Sequence, residues 1–247
     1  MNFPAYLRLG SLVLHPHWIF ESLAYTAGFW LYGRLRRERG DVIDARARWW
    51  VIAAAIIGGF AGSRILSAFE DPIFLADHWM QLHLLLGGKT IVGGLVGGLI
   101  AVESVKRLRG IRVPTGDLLA LPLVLGIAIG RIGCFLSGLE DESYGTATRL
   151  PWGVNFGDGI ARHPTQVYEI MFLAALGATL AGLRTTATVG DRFKLFMVGY
   201  VAFRLLVDFI KPGVRLGGLS AIQWVCLAVV AYYAPHVPRL VAEVRHA

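Results

Sequence analysis

Seven stretches of this chain, near residues 18–33, 49–68, 90–106, 115–136, 166–184, 193–210 and 219–236, read as membrane spans. A helix needs about 20 mostly apolar residues to cross the hydrocarbon layer. Nothing else in the sequence limits the fold so strongly. The pattern predicts an all-α fold, a polytopic membrane helical bundle of about seven transmembrane helices, forming a single integral membrane domain over residues 1–247. Composition agrees: only 17% of the residues are charged, against roughly 25% in an average soluble domain. Thirty glycines and seven tryptophans suit helices that pack in lipid and anchor at its surface. No internal repeat or low-complexity tract stands out.

Basic residues orient the bundle, because cytoplasmic loops collect Lys and Arg. Arg34, Arg36, Arg37, Arg39, Arg46 and Arg48 follow the first span, and "KRLRGIR" follows the third. Arg184, Arg192 and Lys194 flank the connection from fifth to sixth, and Arg239 and Arg245 come after the seventh. With all four segments inside, the N-terminus is outside and the C-terminus inside, which requires an odd number of spans. The connections near 69–89, 137–165 and 211–218 are then external. The loop at about 137–165 is the longest and carries Glu140, Asp141, Glu142, Asp158, Arg162 and His163. Long loops of this kind are often functional.

The same clusters explain the net charge of +7, so membrane orientation accounts for it and no nucleic-acid partner is expected. Cys134 and Cys226 lie in or beside apolar stretches and form no CxxC or Cys/His set. Local spacing therefore implies neither a disulfide framework nor a zinc site, and no metal or cofactor is expected. The opening "MNFPAYLRLGSLVLHPHW" lacks the basic start, long apolar core and cleavage site of a signal peptide, and the mature chain is expected to begin near Met1.

The informative residues are the polar ones in apolar surroundings. An ionisable group at the centre of a span costs at least about 2.5 kcal/mol on insertion scales. Glu21, Arg64, Arg131 and Arg204 fall in this class. Arg64 and Glu21 lie near the outer ends of their spans, where snorkelling or an ion pair accounts for them. Arg131 stands between Gly130 and Gly133, on a bare helix surface with room for a ligand. Tyr200, Arg204 and Asp208 recur every four residues and share one helix face. Two guanidiniums inside such a bundle suit a buried phosphate, since Arg keeps its charge and offers a planar fork of donors. A third polar patch, His163, Gln166, Tyr168 and Glu169 in "RHPTQVYE", opens the fifth span. In the third span, "TIVGGLVGGLIAV" places Gly93 four before Gly97 and Gly94 four before Gly98. That spacing reads as close helix packing, or as a face admitting a lipid chain.

In order along the chain, "GRIG" followed by F-x-x-G, then Glu142-Ser143-Tyr144-Gly145, "RHPTQVYE" and "GYVAFRLLVDF" resemble the successive motifs of the prolipoprotein diacylglyceryl transferase family. The resemblance covers most of the chain and agrees with seven spans, N-terminus out. It implies a multi-pass enzyme of the bacterial cytoplasmic (inner) membrane. Such an enzyme moves the diacylglyceryl group of phosphatidylglycerol, or a similar anionic phospholipid, to the lipobox cysteine thiol of a prolipoprotein signal peptide, releasing glycerol phosphate. Carried over by position, Arg131 and Arg204 are the arginines that meet the phosphate, with Tyr200 and Asp208 as helix neighbours. Glu142 and Gly145 match the outer-loop acid and glycine, and His163, Gln166, Tyr168 and Glu169 match the HP[ST]Q-x-YE motif.

Three positions depart from the pattern. Cys134 stands where asparagine usually follows GRIG, Val92 where the histidine of an HGG motif falls, and Glu21 where an early tyrosine falls. Leu139 to Asp141 look like extra residues before Glu142. With valine at 92, the base for a thiol acceptor is open among His163, Glu142, Glu169 and Glu21. Cys134 reads as a small buried residue or as a nucleophile in its own right. These departures leave two alternatives to lipobox transfer: a paralogue with another acceptor, or a non-catalytic protein that binds or transports anionic lipid.

Overall fold

A computed structural model describes residues 3–10, 12–78, 80–81, 87–183 and 188–245, which are mostly helical. Two short strands, β1 (Leu7–Leu9) and β2 (Leu12–Leu14), pair antiparallel ahead of the first helix. The helices are α1 (Pro16–Arg39), α2 (Ala45–Ala68), α3 (Pro72–His78), α4 (Ile91–Leu108) and α5 (Asp117–Ser137). After a second two-stranded pair, β3 (Val154–Asn155) with β4 (Ala161–Arg162), come α6 (Thr165–Gly182), α7 (Asp191–Val207), α8 (Ala221–Tyr233) and α9 (Val237–Arg245).

Three helical segments, Ala45–Ala68, Asp117–Asp141 and Ala221–Arg245, are long and apolar enough to cross a membrane. The other expected spans are also helical over most of their length. Arg184, one of the expected inside charges, lies outside the described residues. The fold is mostly helical, as expected, with two hairpins added to it. Both are short, and β3–β4 sits inside the long 137–165 connection, where runs of two or three residues give no periodic signal.

Cap chemistry fixes several boundaries. The His15 ring accepts from His17 N at 3.2 Å at the start of α1, with Pro16 in the first turn. Asp44 accepts from Ala47 N at 3.0 Å, and Ser220 with Gln223 forms a reciprocal capping box on α8. Arg36, Arg37 and Arg39 end α1, and Lys106 and Arg107 end α4, where cations complement the helix dipole.

The chain divides into two compact units. One consists of Met1–Gly40, Gly116–Pro212 and His236–Ala247. In it α5 packs on α1, α6 and α7, and α9 touches α7. Its core holds Leu173, Leu180, Phe196, Met197, Tyr200 and Val201, all without solvent exposure. Asp117 at the start of α5 accepts from Gly190 N at 2.6 Å and Phe193 N at 3.0 Å, tying down the N-terminus of α7. Gly133 sets the approach of α1 to α5, since a Cβ there would stand 2.7 Å from Phe20 Cβ.

The other unit consists of Asp41–Thr115 and Gly213–Pro235. Here α2 and α4 meet through glycine on both sides. A Cβ on Gly62 would lie 2.4 Å from Gly93 O and 2.7 Å from Gly97 Cα, and one on Gly97 would lie 2.3 Å from Gly58 O. The paired glycines of the third span therefore serve backbone-to-backbone packing. Arg64 donates to Gly87 O at 2.8 Å and Gly88 O at 2.9 Å, a structural use of that cation.

Candidate active site

The polar centre of the first unit is built on α5, α6 and α7. Glu169, one turn into α6 and 2% exposed, is its hub. Its Oε2 lies 2.9 Å from Arg131 Nε and 3.5 Å from Arg204 Nη1, and its Oε1 accepts from Tyr200 OH at 2.6 Å. Arg204 Nη2 reaches Asp208 Oδ1 at 3.4 Å. The four-residue spacing of Tyr200, Arg204 and Asp208 thus does place all three on one buried face. Arg131 and Arg204, 73 positions apart in the sequence, share one carboxylate.

Three buried polar atoms in this region have no hydrogen-bond partner among the described residues: the acceptor Gln166 Oε1 and the donors Arg204 Nε and Arg131 Nε, the last held to Glu169 as an ion pair only. Buried groups of this kind usually find partners. A ligand offering both an anionic oxygen and a hydroxyl would satisfy them.

The loop at 137–165 is laced to the start of α6. Gln166 Nε2 donates to Ser143 Oγ at 3.1 Å, Thr165 Oγ1 donates to Ser143 O, and Gly145 N donates to His163 O at 2.9 Å. A Cβ on Gly145 would stand 2.6 Å from His163 Cβ, so this close approach requires glycine. His163 itself joins an aromatic group: its Nδ1 is 3.2 Å from Tyr168 OH, which accepts from Trp152 Nε1 at 2.8 Å. Its partners are thus Tyr168 and the loop, at the edge of the guanidinium centre. Glu142 is exposed, with φ of 54° closing a 3-10 turn, Gly138–Asp141. The carboxylate that turns inward is the preceding one, Asp141.

Asp141 Oδ1 lies 3.0 Å from His17 Nδ1, and Arg131 Nη1 points at Cys134 Sγ at 3.7 Å. Glu21 meets His17 Nε2 at 3.6 Å and accepts from Tyr25 OH at 3.0 Å. Sequence reasoning missed His17 and Asp141. The seven-residue step from Cys134 to Asp141 was visible, but nothing local links either to position 17. Lys211 was missed as well. Half-buried just beyond α7, it is lowered to about 7, by burial first and then by repulsion from Arg204 and Arg131. In the loop, Arg162 holds the Asp158 carboxyl below its ordinary range.

Comparison with known proteins places this arrangement. Residues 4–235 match the family model described as prolipoprotein diacylglyceryl transferase. The chain belongs to the prolipoprotein diacylglyceryl transferase family. Relatives named phosphatidylglycerol–prolipoprotein diacylglyceryl transferase include that of Bordetella parapertussis, 31% identical over 92% of this chain and 91% of its own. That of Rhizobium leguminosarum is 30% identical over 92% and 86%, and that of Geobacter sulfurreducens 31% over 88% and 85%. In this prolipoprotein diacylglyceryl transferase family member, every residue of the buried centre falls within the matched span.

Proposed function

We propose that this protein transfers the diacylglyceryl group of phosphatidylglycerol to the lipobox cysteine thiol in the signal peptide of a prolipoprotein, and that Arg131 and Arg204 hold the phosphate. The observation that carries this reading is the convergence of the two buried guanidiniums on Glu169. The reaction attacks a glycerol carbon, breaks its C–O bond and releases glycerol phosphate, so negative charge grows on the leaving phosphate. Preorganised cationic donors aimed at that charge lower the barrier, because they need no reorganisation when it forms.

Glu169 keeps the two cations apart and oriented before lipid arrives, and Tyr200 fixes one of its oxygens. The unpartnered Arg204 Nε suits a phosphate oxygen, and Gln166 Oε1 suits a hydroxyl of the glycerol head group. Gly145 and His163 position the loop over the start of α6, Glu142 and Tyr168 shape its rim, and Asp208 holds Arg204. We place the enzyme in the bacterial cytoplasmic membrane with seven spans, N-terminus out, which puts the site toward the outer face where secreted precursors emerge.

The test is release of labelled glycerol phosphate from phosphatidylglycerol by the purified protein with a lipobox peptide. Release with mass gain on the peptide cysteine supports the reading. Lipid binding without release, under conditions in which a Bordetella relative turns over, overturns it in favour of a lipid-binding protein.

A further inference from the structure

Glu21, Cys134 and Asp141, three residues that set this chain apart from the motifs it otherwise follows, meet around His17. Cys134 replaces the usual asparagine, and Asp141 belongs to the short stretch inserted before Glu142. The 3-10 turn Gly138–Asp141 carries that insertion back toward the start of α1, where Glu140 Oε2 is 2.9 Å from His15 Nε2 and Asp141 Oδ1 is 3.0 Å from His17 Nδ1. From the other side, the bare surface of Gly133 lets α1 approach, with His17 Cα 3.5 Å from where a Cβ would be. One ligating atom each from His17, Cys134 and Asp141 lies within 4.8 Å of the other two.

An imidazole nitrogen, a sulfur and a carboxylate oxygen converging from three segments form a donor set suited to Zn²⁺. Zinc takes all three types, and catalytic zinc keeps three protein ligands with a fourth position for water or substrate. The surroundings fit as well. A ligating histidine commonly gives its second ring N–H to a carboxylate. Here Glu21 Oε2 faces His17 Nε2 at 3.6 Å, and the carboxylate's other oxygen, Oε1, accepts from Tyr25 OH at 3.0 Å. Arg131 Nη1 points at the Cys134 sulfur at 3.7 Å. The Asp141 side chain is 10% exposed and that of His17 30%, so the cluster is closed on one side and reachable from the other.

We propose that His17, Cys134 and Asp141 bind a zinc ion whose fourth position takes the acceptor thiol. That role rests on the transferase reading; binding of the ion does not. On zinc the acceptor thiol gives its proton to water, since a coordinated thiol is deprotonated outright. The bound sulfur then attacks the glycerol carbon. An S–C bond forms, the C–O bond breaks with its electron pair staying on oxygen, and glycerol phosphate leaves with that charge beside Arg131, one helical turn from Cys134. Water replaces the thioether on the metal. A separate base, which Val92 does not offer, becomes unnecessary.

Cobalt is the spectroscopic probe. Full-length protein in detergent is stripped with a chelator and titrated with Co²⁺. One equivalent should give a thiolate-to-cobalt charge-transfer band that C134S abolishes and C226A retains. E21Q should weaken Co²⁺ affinity about 10–100-fold, as losses around a ligating histidine do, and H17Q should weaken it at least as much even if C134S folds poorly. A lipobox peptide should intensify the band, and its Ser analogue should not. No band, or a band that survives C134S, overturns the site. A band unchanged by the cysteine peptide overturns the thiol-holding role. Full-rate glycerol phosphate release by metal-free protein also overturns that role while leaving the transfer reaction standing, which separates the two failures.

Discussion

Glu169 Oε2 stands 2.9 Å from Arg131 Nε in a site where the carboxylate is 2% exposed. With Arg204 at 3.5 Å on the same oxygen, one negative charge restrains two buried cations. Removing it leaves both uncompensated. E169Q is expected to cost about 3–5 kcal/mol, the range for breaking a buried ion pair from one side. Thermal unfolding in detergent measures this, and added phosphatidylglycerol should recover more of the loss in E169Q than it adds to the parent protein.

Arg131→Ala and Arg204→Ala should each reduce release of glycerol phosphate by about 10²–10³ or more, as loss of a preorganised donor does. The lysine variants should recover only part, because a point charge replaces the planar fork. Retained turnover in both alanine variants would refute the phosphate assignment.

The α2–α4 contact makes a graded prediction. Gly62→Ala and Gly97→Ala place Cβ within 2.7 Å of backbone atoms and should destabilise by about 1–3 kcal/mol, the usual cost of overpacking. Gly59→Ala, whose Cβ would sit 3.4 Å from Gly94 O, should be milder. Thermal midpoints of the three variants check the order.

Lys211 gives a pH signature. Between its lowered value of about 7 and the ordinary 10.5, the unfolded chain holds a proton that the folded protein has released. Stability therefore rises with pH across that window, and K211M should flatten the rise. A bound phosphate near Arg204 and Arg131 favours protonated Lys211, so affinity for phosphatidylglycerol should fall as pH rises past about 7. Titrations of the parent and K211M at several pH values measure it; equal slopes would remove Lys211 from the site.

The guanidinium centre was legible because its parts announce themselves locally. Tyr200, Arg204 and Asp208 lie one helical turn apart, and Arg131 interrupts an apolar run among glycines. Glu169 was found as a motif residue, but its place between the arginines depends on how α6 packs against α5 and α7. The motif match at Glu142 does not reveal that the neighbouring Asp141 is the carboxylate that faces His17. At a 3-10 turn ending with φ of 54°, neighbouring side chains point in different directions, and a carboxylate pair in sequence does not say which one faces in.

The sequence by itself determined the helical segments, the family and the two arginines, because hydrophobic runs, helical spacing and ordered motifs are properties of short stretches. Only the tertiary structure decided that Arg131 and Arg204 share Glu169, and that His17, Cys134 and Asp141 come together. The first relationship arises from the packing of α6 against α5 and α7, and the second from glycine-permitted helix approach and a loop turned back onto α1 from more than a hundred residues away; no local pattern encodes either.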